Sequence, residues 1–240
     1  MKGKLIVIEG ACDGIGKTTQ YNLLKKYLIG KGYKVYSHHF PTYDSKQGKL
    51  VQYYLNGDLG SPEDLSAYLV NSVYAVDRAF TWANELKKEY ENGSIILLDR
   101  YTTSSLIYQS SLFKTEEEKV NFINYVEDYE YNKLNIKRPD KVIFLTADFD
   151  AVTKMRKGRT SNDGVSNDIY ERDNALMKKI YDNSSFVSKY LDFDVVKCDK
   201  DGKLRKIDDI QSEIRDKCKT LLWWIDWLTY HFIYIKIIKE

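Results

Sequence analysis

Short apolar runs alternate with longer stretches of helical periodicity along this chain. Five runs suit buried strands: 5–8, roughly 35–38, 95–98, 142–145 and 193–196. Continuous apolar runs of this length, rather than in–out alternation, mark parallel strands covered on both faces. Helical patterns lie between them at about 17–30, 47–56, 63–91, 102–110, 115–133, 148–157, 169–191 and 206–219. Strands alternating with helices require crossover connections, which stack helices on both sides of one sheet. The expectation is an α/β fold of three layers, α/β/α, around a five-stranded parallel sheet. Ligands in such sheets sit beyond the carboxyl ends of the strands, which singles out the loops after 8, 38, 98 and 145.

The first of those loops carries the sharpest signal. The strand Leu5-Ile6-Val7-Ile8 runs into Glu9-Gly10-Ala11-Cys12-Asp13-Gly14-Ile15-Gly16-Lys17-Thr18-Thr19-Gln20, which opens a helical pattern. Small residues let successive backbone N–H groups converge on an anion, and the helix N-terminus adds unpaired donors and a favourable dipole. Lys17 can reach outer phosphates, and the Thr18 hydroxyl can sit on Mg²⁺. Residues 10–19 are therefore the candidate nucleotide-phosphate cradle. The spacing G-x-x-x-x-G-K-[ST] would put its first glycine at Ala11; counted from Gly10, the loop reads G-x₅-G-K-T. Either Ala11 takes the first-glycine role or the loop holds one extra residue.

Composition narrows the partners. The chain has 240 residues, enough for one sizeable α/β core, with 37 Lys plus Arg against 35 Asp plus Glu. A net charge of +2 gives no basis for a nucleic-acid or membrane surface, so basic residues matter as single placed groups. Cys12, Cys198 and Cys218 are scattered and odd in number, and His38, His39 and His231 make no ligand cluster; a reducing compartment and no dedicated metal site are expected. The N-terminus begins in the first strand without a secretory apolar region, which points to the cytoplasm.

Other constellations fall where the sheet rule points. Asp99, in Leu97-Leu98-Asp99-Arg100-Tyr101, ends a buried strand beside the phosphate loop. A carboxylate there can hold Mg²⁺, and Arg100 can clamp a phosphate with two parallel hydrogen bonds. Phe40-Pro41 follows the second strand. Tyr74 and Arg78 are one helical turn apart and share a face, an aromatic plane beside a guanidinium that suits a nucleobase. The plainer alternative for that pair is a core tyrosine with a surface arginine. The polar segment 158–168 lies between two helical patterns and reads either as a mobile flap bordered by Arg156, Arg159 and Arg172 or as a solvated loop. The tail from Thr220 to Glu240 holds three of the four tryptophans; Asp226 and His231 interrupt it, which speaks against a clean membrane span. An interfacial anchor, a packed or oligomer-burying helix and an extension irrelevant to activity all remain open.

Together these motifs resemble thymidylate kinases, P-loop enzymes that phosphorylate dTMP with ATP. The resemblance rests on Glu9-Gly10, Asp13 to Gln20, Phe40-Pro41, Tyr74 to Arg78, Asp99-Arg100-Tyr101 with Ser104 and Tyr108, and the arginine-bearing flap. It spans about residues 3 to 215 and implies a P-loop kinase body over 1–219, a mobile lid at about 156–170 and a separate tail over 220–240. It also implies a homodimer. Asp13 would then lie near the acceptor's 5′-phosphate and 3′-hydroxyl. Tyr74 would stack on thymine, Arg78 would reach its exocyclic oxygen and Ser104 would lie beside the base. Arg100 would hold the acceptor phosphate, and Tyr108 would crowd the ribose 2′ position. Family members with glycine at the Gly14 position use lid cations, here Arg156 and Arg159.

The expected chemistry is in-line phosphoryl transfer from ATP to dTMP, with Lys17, Mg²⁺, loop amides and a lid arginine neutralising charge. The alternatives are a kinase for another nucleotide or a deoxynucleoside, or a tail-anchored P-loop protein that binds ATP.

Overall fold

The computed structural model describes residues 2–11, 14–157 and 168–238, with side chains except at 154–157 and 223–238. Strands β1 (Lys4–Gly10), β2 (Val35–His39), β3 (Ile95–Asp99), β4 (Lys141–Thr146) and β5 (Asp194–Lys197) form one parallel sheet in the order β2-β3-β1-β4-β5. The helices are α1 (Lys17–Gly30), α2 (Lys49–Asn56), α3 (Ala67–Thr81), α4 (Lys87–Glu91), α5 (Thr102–Tyr108), α6 (Glu116–Glu127), α7 (Phe149–Lys157), α8 (Asn174–Tyr190) and α9 (Ile207–Ile238).

Burial on both faces explains the unbroken apolar strands. Along β1 and β3, Ile6, Ile8, Ile95 and Leu97 enter one core layer with Leu24, Ile107 and Ile180. Their neighbours Leu5, Val7, Ile96 and Leu98 enter the other, with Trp82, Leu86, Tyr101 and Ile136. Successive side chains point to opposite faces, so one run feeds two cores.

Register then places the chemistry. Ile8 pairs with Asp99, His39 also pairs with Asp99, and Gly10 pairs with Leu145. The carboxyl ends of β1, β2 and β3 finish level, and their loops meet at one edge. Ala11 continues the ladder: its N–H donates to Leu145 O at 2.9 Å. Gly14 (φ 94) and Gly16 (φ 88) then take left-handed conformations that favour glycine. Gly16 caps α1 without a side-chain hydrogen bond, and no acidic residue lies in the first turn.

Several expected helices are shorter or longer than their patterns. The 63–91 stretch starts at Ala67 and passes through a π-helical turn, Trp82–Leu86, before α4. The helix expected from 169 begins at Asn174, because Asp168 Oδ1 accepts from Tyr170 and Glu171 N–H to make a turn, and Asp173 caps α8 through Ala175 and Leu176 N–H. A small hairpin, β6 (Asp199–Lys200) with β7 (Lys203–Leu204), has no counterpart in the apolar pattern; its strands are only two residues long. The helix expected to stop near 219 runs on as α9 to Ile238, and Cys218 and Leu222 both belong to the main core. No helix among the described residues is long and apolar enough to cross a membrane.

Candidate active site

Beyond the carboxyl ends of β1, β2 and β3 lies a cavity of about 250 Å³. Lys17 and Thr18 line one end; Tyr74, Arg78 and Gln109 line the other; Arg100, Ser104 and Tyr108 lie along it. Phe40 and Pro41, joined by a cis peptide bond, form part of the wall. The structure thus brings together the sequence-identified residues of the loop helix, the β3 end, the Phe-Pro turn and α3.

At the loop end, α1 begins with Lys17 buried and its Nζ ion-paired to Asp99 Oδ1. Asp99 Oδ2 faces His39 Nδ1 at 3.2 Å. Burial alone would raise the Asp99 carboxyl, but the His39 hydrogen bond and the Lys17 charge outweigh it and hold the group well below the usual carboxylate range. Asp99 therefore stays ionised at the edge where a cation would sit. Thr18 is solvent-exposed in the first turn of α1. One anionic carboxylate and one accessible hydroxyl fit Mg²⁺, which takes few protein ligands and keeps phosphates and waters for the rest. Among the described residues no group of three His, Cys, Asp or Glu side chains could hold a metal by itself.

Arg100 follows in the left-handed region, φ 66, with its N–H bonded to Ile8 O at 3.1 Å. The sharp turn sends the chain from β3 straight into α5. Its guanidinium lies 5.6 Å from the Tyr108 ring centroid and 3.8 Å from Glu9 Oε1. Glu9 is wholly buried; its Oε2 accepts from Thr103 Oγ1 at 2.7 Å and Ser104 Oγ at 2.6 Å, and its Oε1 from Gly10 N–H at 3.0 Å. The Ser104 hydroxyl is thus engaged with Glu9 at the cavity wall.

At the far end, Arg78 is only 2 % exposed, so the alternative of a surface arginine does not hold. Tyr74 lies 6.0 Å from the guanidinium and meets the Tyr54 ring edge to face. Tyr108 meets Tyr170 edge to face at 5.2 Å. Tyr170 OH shares a hydrogen bond with Tyr54 OH at 2.8 Å and accepts one from Gln109 Nε2 at 2.9 Å. Burial pushes the Tyr54 phenol up to about 12.

Several participants carried no assigned role in the sequence reading, among them Glu9, His39, Tyr170 and Glu130, the last accepting from Arg78 Nε and Nη2. Glu9 had a usable signal, since a charge beside a buried apolar run must be partnered. His39 stands beside the Phe-Pro turn. Glu130 follows several other acidic residues and Tyr170 is one of 20 tyrosines, so residue type alone marks neither. Of the lid cations, Arg156 lies on the backbone of α7 and its side chain is outside the described atoms; Arg159, Cys12 and Asp13 lie outside the described residues.

Comparison with known proteins agrees with this geometry. The profile of the family described as thymidylate kinase matches residues 8–191. A thymidylate kinase of Caldicellulosiruptor saccharolyticus is 28% identical over 222 residues, covering 92% of this chain and 98% of its own length. One from Exiguobacterium sibiricum is 29% identical over 182 residues, covering 76% and 79%. A solved thymidylate kinase from Candida albicans superposes with a TM-score of 0.66 at 21% identity, covering 91% of this chain and 92% of that one. With a phosphate loop at one end of the cavity, an aromatic and a buried arginine at the other, and a profile match across most of its length, the chain belongs to the thymidylate kinase family.

Proposed function

We propose that this protein transfers the γ-phosphoryl group of ATP to dTMP, giving dTDP and ADP, and that the residues of the cavity divide the work as follows. The observation that carries the reading is the single cavity joining Lys17 to Arg78 past Arg100. The loop amides and Lys17 hold the donor phosphates. Asp99 and Thr18 would hold Mg²⁺, which when bound neutralises charge on the phosphate oxygens. Arg100 grips the acceptor phosphate and turns it toward the donor. Tyr74 and Arg78 hold the base, and Tyr108 fills the space beside the ribose. Arg156 and Arg159 are the proposed lid cations, and Asp13 the proposed contact to the acceptor sugar. Alignment and neutralisation supply the catalysis, so no strong base is needed.

The protein acts as a homodimer in this reading. Leu69, Val76 and Phe80 are all exposed on α3 at spacings of seven and four residues, a ready apolar stripe for a second copy. Cys198 and Cys218 are free, buried thiols, which suits a reducing cytoplasm. The catalytic body is residues 1–219, with the 220–240 tail a separate extension whose part in activity a truncation tests. Because Leu222 is still packed in the core, the truncation that tests this should end after Leu222.

A coupled ADP-release assay with dTMP, dUMP, dCMP, dGMP and thymidine as acceptors tests the assignment. Turnover should be highest with dTMP. ATP binding without acceptor-dependent ADP release would refute it.

A further inference from the structure

Glu130 is a wholly buried carboxylate that belongs to none of the chain's sequence motifs. It sits on the π-helical turn Asp128–Lys133 that extends α6. Arg78 Nε donates to Glu130 Oε2 at 2.7 Å and Arg78 Nη2 to Glu130 Oε1 at 2.6 Å, a two-pronged pair. Thr102 Oγ1 donates to the same Oε2 at 2.8 Å. Nη2 also donates to Ser105 Oγ at 2.9 Å and Asn71 Oδ1 at 3.4 Å. Nε and Nη2 are thus both committed. Nη1 has no hydrogen bond among the described residues and is not among the sealed, unpartnered atoms, while Arg78 lines the cavity.

We infer that Glu130 is a positioning residue for base selection: it fixes the Arg78 guanidinium so that Nη1 is presented to the cavity as a donor and nothing else. The inference rests on the reading of Arg78 as a base contact. A guanidinium has no acceptor, and one locked by a carboxylate fork cannot turn its plane aside. At the pyrimidine 4-position, thymine and uracil carry a carbonyl that accepts this N–H. Cytosine carries an amino group there, which sets donor against donor at a buried guanidinium. A site whose buried groups are left unpaired by the wrong substrate discriminates far more strongly than one relying on shape. Lysine could not replace Arg78, because a single ammonium has no second edge by which to be held.

A purely structural role is the competing explanation, and it makes a different forecast. Buried ion pairs contribute little net stability compared with apolar packing. A pair kept only for folding would move melting temperature and leave selectivity alone. The test compares the full-length enzyme with Glu130→Gln, Arg78→Met and the double variant, measuring KM for dTMP, dCMP and ATP, kcat and melting temperature. Glu130→Gln should raise the KM for dTMP about tenfold and lower the dTMP-to-dCMP ratio of kcat/KM by a similar factor, with the KM for ATP unchanged. The double variant should be no worse toward dTMP than Arg78→Met alone, since Glu130 acts through Arg78. A Glu130→Gln enzyme with altered melting but unaltered dTMP kinetics and selectivity, beside an impaired Arg78→Met, would overturn the inference. An unimpaired Arg78→Met would instead overturn the base-contact reading beneath it. If Glu130→Gln does not fold, Glu130→Asp, which keeps the charge and shortens the reach, replaces it with the same expected pattern and the same overturning result.

Discussion

The two ends of the cavity are assembled by different means. At the phosphate end, Lys17, Asp99 and Arg100 meet because paired strands finish level: Asp99 ends β3, Arg100 follows it, and Lys17 opens α1 after the loop that leaves β1. At the base end, Tyr54, Arg78, Gln109, Glu130 and Tyr170 come from five separate segments and meet only through packing. The first arrangement is fixed by backbone register, the second by side chains that also hold the core together. Damage at the phosphate end should therefore cost rate and spare the fold. Damage at the base end should cost recognition and stability together.

The largest effect belongs to Lys17. Lys17→Met should lower kcat by roughly 10²–10³-fold or more, as removal of one charge-stabilising donor does. Circular dichroism should be unchanged, since α1 keeps its backbone bonds and its buried Leu24 and Leu28. A variant that turns over normally would remove the phosphate end from the mechanism.

Arg100 offers a sharper separation of fold from function. Its φ of 66 costs a non-glycine residue some backbone strain, which glycine would not feel. Arg100→Gly should leave unfolding free energy within about 1 kcal/mol of the parent. At the same time kcat/KM for dTMP should fall about a hundredfold as the phosphate grip is lost. Equal losses in both would mean that Arg100 serves the fold rather than the acceptor.

This contrast explains what could be read in advance. The five strands, the phosphate loop and the Asp99-Arg100 corner were legible because apolar runs and glycine spacing are local signals. The start of α8 was not, because turn-forming Asp168 and capping Asp173 both fall inside a stretch of helical periodicity. The partner of Arg78 was not legible either. Glu130 is one of six acidic residues between Glu116 and Glu130, and only tertiary packing tells it apart from its exposed neighbours. Tyr170 lay hidden for the same reason in a chain of 20 tyrosines.

Glu9 bridges the two halves of the comparison, being encoded next to the loop yet satisfied by α5. Glu9→Gln leaves one acceptor oxygen where two now serve: its N–H₂ must face either the Gly10 N–H, which can only donate, or the Thr103 and Ser104 hydroxyls, which would have to give up their bonds to a carboxylate and turn to accept. The mismatch should lower stability by about 1–3 kcal/mol in urea unfolding. If the loss is absent, the phosphate end is as independent of side-chain packing as its strand register suggests.

The smallest effect is expected from Tyr54→Phe, which removes one hydroxyl from the Tyr54–Tyr170–Gln109 chain and little volume. At neutral pH it should cost about 1 kcal/mol. The pH dependence carries more information. Burial raises the Tyr54 phenol to about 12 in the fold, above the ordinary 10.0 of an unfolded tyrosine. Between these values the unfolded chain loses the proton first, so the parent loses stability as pH rises from 10 toward 12. Tyr54→Phe lacks this loss, so the stability gap between the two proteins should narrow above pH 10 and hold constant below it. A gap that stays constant through pH 12 would mean that the Tyr54 hydroxyl reaches water in solution, leaving Tyr170 held at the base end by Gln109 and its ring contacts.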